Sequence, residues 1–152
     1  RLLFSHVPVP EANLHFMPTT GTPEDAAHAY EARLKKFYGA DRFEADRPLF
    51  DVNLLGLGAD GHTASLFPGQ PVLQEKSAWV APCVPPVAPY TRITLTYPAI
   101  HASRHVVFLV EGAAKKETLA KVRAQDPACP ASAITAMGDV RWLIDAAAAS
   151  TP

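Results

Sequence analysis

The sequence predicts an α/β protein with a mostly parallel sheet and helices on both faces, and three observations carry that expectation. Strand-like apolar runs alternate with segments of helical periodicity, as in a parallel sheet joined by crossover helices. Val106-Val107-Phe108-Leu109-Val110 is apolar without a break, as a central parallel strand should be. Leu49 to Leu55 reads as another buried strand and feeds directly into Gly56-Leu57-Gly58-Ala59-Asp60-Gly61. With 152 residues, 48% of them hydrophobic, the chain can bury the core of one domain, taken as residues 1–152.

In chain order, Arg1-Leu2-Leu3-Phe4 is amphipathic but lacks a helix start, so it reads as the tail of a helix in a piece of a longer protein. Val7-Pro8-Val9-Pro10 leads out of that helix, because proline lacks a donor and restricts its predecessor. Asn13 to Met17 is expected to be extended. Thr22-Pro23-Glu24-Asp25 is a helix start, with an N-cap hydroxyl, proline in the first turn and acids at the positive end of the dipole. Ala26, Tyr30, Leu34 and Phe37 mark its apolar face, and Gly39 ends it. Asp41 to Pro48 is a polar loop before the strand at Leu49.

Beyond the glycines, Gly61-His62-Thr63-Ala64-Ser65-Leu66-Phe67 reads as a short helix stopped by Pro68-Gly69. Ala78 to Val84 is the next strand, followed by a stiff loop around Pro85, Pro86 and Pro89. Thr91 to Tyr97 alternates, with Ile93, Leu95 and Tyr97 on one side and Arg92, Thr94 and Thr96 on the other. A helical turn at Pro98–Ser103 precedes the Val106 strand. Gly112 opens a helix through Arg123, Pro127 to Pro130 closes it, and Ser132 to Met137 is ambiguous. Val140 to Ile144 is the last strand, and Asp145 caps an alanine-rich tail.

Bulk properties exclude several classes of function. A net charge of −1 with no Lys/Arg run longer than two leaves no footprint for nucleic acid. No apolar stretch reaches the length of a membrane span, and no signal-peptide pattern opens the chain. Cys83 and Cys129 lack C-x-x-C spacing and read as reduced, buried thiols of a cytoplasmic protein.

Gly56-x-Gly58-x-x-Gly61 formally satisfies the dinucleotide fingerprint. The element after it is too short for the crossover helix of such a unit, and no acidic residue ends a second strand at the required distance. The glycines instead leave the backbone open to a ligand, with His62 at the lip of the loop.

Leu54 to Gly69 resembles the signature of 6-phosphogluconolactonases, G-x-G-x-D-G-H-x-x-S-L-F-P. The similarity continues through Val7-Pro8-Val9-Pro10-Glu11-Ala12-Asn13-Leu14-His15, Arg92-Ile93-Thr94-Leu95-Thr96, Phe108-Leu109-Val110-x-Gly112-x-x-Lys115 and Val140-x-Trp142-Leu143-Ile144-Asp145. The related glucosamine-6-phosphate deaminases share G-x-G-x-D-G-H, but carry a carboxylate five positions after the histidine, where this chain has Phe67. The resemblance implies a Rossmann-like sheet and hydrolysis of 6-phospho-D-glucono-1,5-lactone to 6-phosphogluconate, a step of the oxidative pentose phosphate pathway. It implies no metal or nucleotide cofactor. The family also carries an earlier glycine/serine phosphate loop and a D-E-R segment that are not found here. This marks the chain as the C-terminal two-thirds or so of such a domain, with its activity alone in question.

Lactone opening requires an activated water and a site for the carbonyl's developing charge. His62 is the natural general base, helped by the dipole of the expected short helix. Asp60 either orients the imidazole or a substrate hydroxyl, or bonds its own turn. The N–H groups around Gly58–Gly61, with Gly56 before them, are expected to face the substrate and its oxyanion. Arg92 suits phosphate through its planar fork, and Lys115, in a first helical turn where cations are disfavoured, suggests a bound anion. Both match the family's phosphate or substrate contacts. Lys116 and the histidines at 6, 15, 28, 101 and 105 read as surface or core residues, and Ser65 lacks a nucleophile's setting. The expected partner is a small phosphorylated sugar lactone bound by a monomer. An amino-sugar-phosphate deaminase and a non-catalytic sugar-phosphate binder remain as alternatives.

Overall fold

A computed structural model describes residues 4–86 and 90–149. The expected helix tail at Arg1–Leu3 and the Pro89 part of the proline loop lie outside the described residues, while residues 4–7 form turns and bends. Asn13, expected to begin a short extended piece, instead ends a 3₁₀ turn at Glu11–Asn13, and extended backbone begins at Leu14.

Helix α1 (Pro23–Tyr38) begins and ends where its local chemistry dictates. The Thr22 hydroxyl accepts the Asp25 N–H at 3.1 Å, and Gly39 adopts φ +77° with its N–H on the Lys35 carbonyl. Its buried residues are Ala26, Ala27, Leu34 and Tyr38, whereas Phe37, expected on the inner face, is exposed. Tyr38 takes that place because its ring packs edge-on against Trp79 and its hydroxyl has two partners, donating to the Arg47 carbonyl and accepting the Glu44 N–H, each at 2.8 Å.

Strands β1 (Phe50–Gly56), β2 (Val80–Cys83), β3 (Arg92–Leu95), β4 (Ser103–Val110) and β5 (Asp139–Ile144) form two sheets. The main sheet is parallel in the order β1-β4-β5, with Leu55 opposite Phe108 and Phe108 opposite Trp142. A separate antiparallel pair, β2-β3, packs on α1. The α/β expectation therefore holds, and β4 is central as its composition requires. One face of the parallel sheet buries Leu55, Val106, Phe108 and Val110 against Leu119 and Val122 of helix α3 (Lys116–Arg123), and Phe108 stacks on Trp142 at 3.9 Å. Val52, Leu54, Leu109 and Leu143, which alternate with that set, are exposed.

Helix α2 (Tyr97–His101) enters β4, and helix α4 (Ala146–Ala149) follows β5. The Asp145 carboxylate accepts the Ala148 N–H at 2.8 Å and the Gly112 N–H at 3.1 Å, which ties the end of β5 to the exit of β4. Glu31 acts similarly on the other side: its carboxylate accepts the N–H groups of Trp79 and Val80 and pairs with Lys35, fixing α1 to β2. No helix among the described residues is long and apolar enough to cross a membrane.

Glu75 organises the approach to β2. One carboxylate oxygen accepts the N–H groups of Ser77 (2.7 Å), Ala78 and Lys76 (both 2.9 Å) and the Ser77 hydroxyl. The Ser77 and Ala78 amides lead in pulling its carboxyl from an ordinary 4.5 to about 2. Because the folded value is depressed, the stabilisation is complete above about pH 4.5 and is lost as pH falls toward about 2. In urea unfolding across that window, Glu75→Gln is expected to flatten the acid loss of midpoint; identical slopes for the two proteins would refute the assignment.

Candidate active site

At Gly56 the chain leaves β1 on the carboxyl side of the parallel sheet, where open α/β sheets place their ligands. Leu57 is buried and anchors the start of the loop. The loop then closes on itself, with the Gly58 N–H donating to the His62 carbonyl at 2.8 Å and the Gly61 N–H to the Gly58 carbonyl at 3.1 Å. Gly61 sits at φ +83°, and a Cβ there would lie 2.7 Å from Cβ and Sγ of Cys129, so glycine is required on both counts. Three further bonds clamp the loop: Thr118 Oγ1 to the Ala59 carbonyl at 2.6 Å, the Ala131 N–H to the Gly61 carbonyl at 3.0 Å, and Thr63 Oγ1 to the Gly56 carbonyl at 2.9 Å.

Two expectations change here. Residues 57–70 hold turns and an isolated bridge between Thr63 and Leu66, with no helix, so no helix dipole acts on His62. The N–H groups of Gly58 and Gly61 are consumed inside the loop and are not free to donate to an oxyanion. Their glycines serve conformation and close approach instead.

The His62 ring is held on three sides. Its Nδ1–H donates to Asp60 Oδ1 at 2.5 Å, and the same oxygen accepts the His62 backbone N–H at 3.1 Å. A Cβ on Gly58 would stand 2.0 Å from Nδ1, so the imidazole rests directly on the Gly58 backbone. The Phe67 ring lies against it, with centroids 4.3 Å apart and planes tilted by 37°. Partial burial of Asp60 opposes ionisation, but the hydrogen bonds from the His62 ring and backbone outweigh it and hold the carboxyl below its ordinary range. With Nδ1–H donating to an ionised Asp60, Nε2 carries the lone pair whenever the ring is neutral. The His62 side chain keeps 29% of its exposure.

His62 lines a cleft of about 390 Å³ with Leu54, Gly56, Gly58, Ala64 and Lys115. Lys115 ends a 3₁₀ turn, Ala113–Lys115, that precedes α3, so the helix expected from Gly112 starts four residues later. Arg92 is not on this cleft. It lines a groove of about 310 Å³ with Thr19, Thr20, Thr22 and Thr91, and its Cζ lies 5.8 Å from the centroid of the Phe67 ring. The structure thus brings Gly56, Gly58, His62, Asp60 and Lys115 together and leaves Arg92 on a separate groove, near the Phe67 ring that also meets His62.

Sequence reasoning missed the parts that hold the site. Thr118 and Cys129 reach Ala59 and Gly61 from 59 and 68 residues along the chain, contacts that no local pattern signals. Cys129 is a buried free thiol as expected, and so is Cys83. Thr94 Oγ1 accepts the Ser65 N–H at 3.1 Å, so Ser65 enters the structure through its backbone. His105 pairs with Asp139 away from the cleft, and burial is the leading influence that pushes the His101 imidazole below its usual value. Among the described residues, no group of three or more His, Cys, Asp or Glu side chains could hold a metal ion.

Comparison with known proteins gives a consistent picture. Residues 1–142 match the family model described as glucosamine-6-phosphate isomerases/6-phosphogluconolactonase. The chain is 44% identical over 144 residues to a 6-phosphogluconolactonase of Synechocystis sp., across 91% of this chain and 58% of that protein. It is 37% identical over 150 residues to the 6-phosphogluconolactonase of Rattus norvegicus, across 97% of this chain and 57% of the rat protein. The crystal structure of 6-phosphogluconolactonase from Thermotoga maritima superposes with a TM-score of 0.76 at 29% identity, covering 93% of this chain and 60% of that one. The chain spans little more than half the length of the curated relatives it matches.

Proposed function

We propose that this chain, which belongs to the family of glucosamine-6-phosphate isomerases and 6-phosphogluconolactonases, carries the reacting end of a 6-phosphogluconolactonase site. The observation that supports this best is the His62–Asp60 pair, held by the glycine loop at the wall of an open cleft.

In this reading His62 Nε2 takes a proton from a water molecule, whose oxygen attacks the lactone carbonyl carbon. Asp60 holds the ring in the tautomer with Nδ1 protonated and stabilises the imidazolium as it forms. The tetrahedral intermediate then collapses, the bond from the carbonyl carbon to the ring oxygen breaks, and the proton on Nε2 passes to that oxygen as it leaves. One water is consumed and a carboxylic acid is produced. With the Gly58 and Gly61 amides engaged, Lys115 supplies the positive charge on the cleft wall for the anion that develops there. Arg92 is assigned to the phosphate. The substrate is a small phosphorylated sugar lactone, taken by a cytoplasmic monomer that needs no nucleic acid and no membrane, and residues 1–152 act as one α/β unit. Phe67 favours lactone hydrolysis over amino-sugar-phosphate isomerisation, since an apolar ring touches the imidazole where the deaminase pattern has a carboxylate.

The test is acid release from 6-phosphogluconolactone by the intact protein, above the spontaneous rate. In the same assay Arg92→Ala is expected to raise KM for the phosphorylated lactone by roughly 10–100-fold, the scale of a charged hydrogen bond, and to spare an unphosphorylated lactone. Equal effects on both lactones would defeat the phosphate assignment.

A further inference from the structure

The ring of Phe67 contacts two groups that the proposed reaction uses for different ends of its substrate. Phe67 is only 4% exposed and belongs to the main hydrophobic core, so its own position is fixed by packing. One neighbour is the His62 imidazole, 4.3 Å away between centroids. The other is the Arg92 guanidinium, 5.8 Å from the same ring. His62 has no helical turn to orient it, and torsion about a histidine's Cβ–Cγ bond is intrinsically broad. Asp60 fixes one nitrogen, but one hydrogen bond does not fix the plane of a ring; Gly58 on one side and Phe67 on another do. Among the described residues, no carboxylate forms an ion pair with Arg92, so the aromatic ring is the contact that stations its charge.

We propose that Phe67 is a positioning residue for both ends of the site: it sets the plane of the His62 imidazole and, through the same ring, the station of the Arg92 guanidinium. The proposal rests on the lactonase reading for its kinetic consequences, though not for its geometry. Arg92→Ala touches one end of the substrate, whereas loss of the Phe67 ring touches both. The kinetic signature is therefore a fall in kcat together with a rise in KM for the phosphorylated lactone.

The experiment compares Phe67→Leu, which keeps apolar volume without a flat face, with Phe67→Tyr, which keeps the face, in the intact protein. The His62 ring protons are read by NMR, since a neighbouring aromatic ring shifts them by its ring current. Phe67→Leu is expected to move these resonances, to lower kcat about tenfold through misorientation of the base, and to raise KM. Phe67→Tyr is expected to restore all three toward wild type. Unmoved His62 resonances in Phe67→Leu would overturn the proposal, and so would kinetics in which Phe67→Leu matches wild type or Phe67→Tyr is equally impaired. If Phe67→Leu does not fold, Phe67→Met gives the same comparison. A wild type that hydrolyses no lactone would remove the function reading, while the His62 resonances would still decide the packing role.

Discussion

His62→Ala is expected to slow lactone hydrolysis by about 10²–10⁴-fold while leaving KM little changed, the usual contribution of a general base. Among the described residues, His62 is the histidine that combines a carboxylate on Nδ1 with a place on the wall of this cleft. His105 has a carboxylate partner but does not line this cleft, and His101 is half-buried against Tyr97. Removing the imidazole leaves the bound lactone to water alone, so the loss falls on kcat. The ring also packs on Phe67 and Gly58, so a thermal melt belongs beside the kinetics to show that the variant remains folded. An unchanged rate would take His62 out of the mechanism.

Gly58→Ala is expected to act nearly as strongly without removing any functional group. The added methyl would stand 2.0 Å from Nδ1, 2.2 Å from Cε1 and 2.7 Å from Cγ of His62. The loop cannot absorb the overlap easily, because Phe67 contacts the imidazole elsewhere and Gly58 is bonded through both its N–H and its carbonyl. The ring must therefore move by an ångström or more, and a displacement of that size costs about 10²-fold in rate. Gly58 is not at a left-handed φ, so alanine adds no backbone strain and the effect is steric. Measured kcat should drop while the unfolding midpoint changes little; wild-type kcat in a folded Gly58→Ala protein would mean that the imidazole is not confined as described.

Much of the fold was legible because the signals were local. Thr22 and Gly39 bound α1 through hydrogen bonds to Asp25 and Lys35, three and four residues away, and the apolar run ending at Val110 placed β4 at the centre of its sheet. The errors arose where distant contacts override local pattern. Gly61 to Phe67 has the composition of a short helix, yet Thr63, Leu66 and Phe67 are all buried, and Thr63 bonds back to Gly56 while Ala64 takes φ +50°. Helical periodicity favoured Phe37 over Tyr38 because it does not weigh the two hydrogen bonds that the buried hydroxyl finds in the following loop.

The candidate site divides in the same way. His62, Asp60 and the glycines were visible as a contiguous motif. The clamp from Thr118 and Cys129, and the placing of Lys115 and Arg92 on different grooves, depend on how remote segments pack. The expected dipole on His62 depends on a short helix that does not form; the imidazole is held by Asp60 instead.

In the proposed reaction the His62–Asp60 pair serves water attack on a lactone carbonyl. The most direct measurement gives the intact protein 6-phosphogluconolactone and, separately, glucosamine 6-phosphate under the same conditions. Acid release from the lactone above its spontaneous rate, without ammonia from the amino sugar, is the expected result. Ammonia release with the lactone left to its spontaneous hydrolysis would contradict the account.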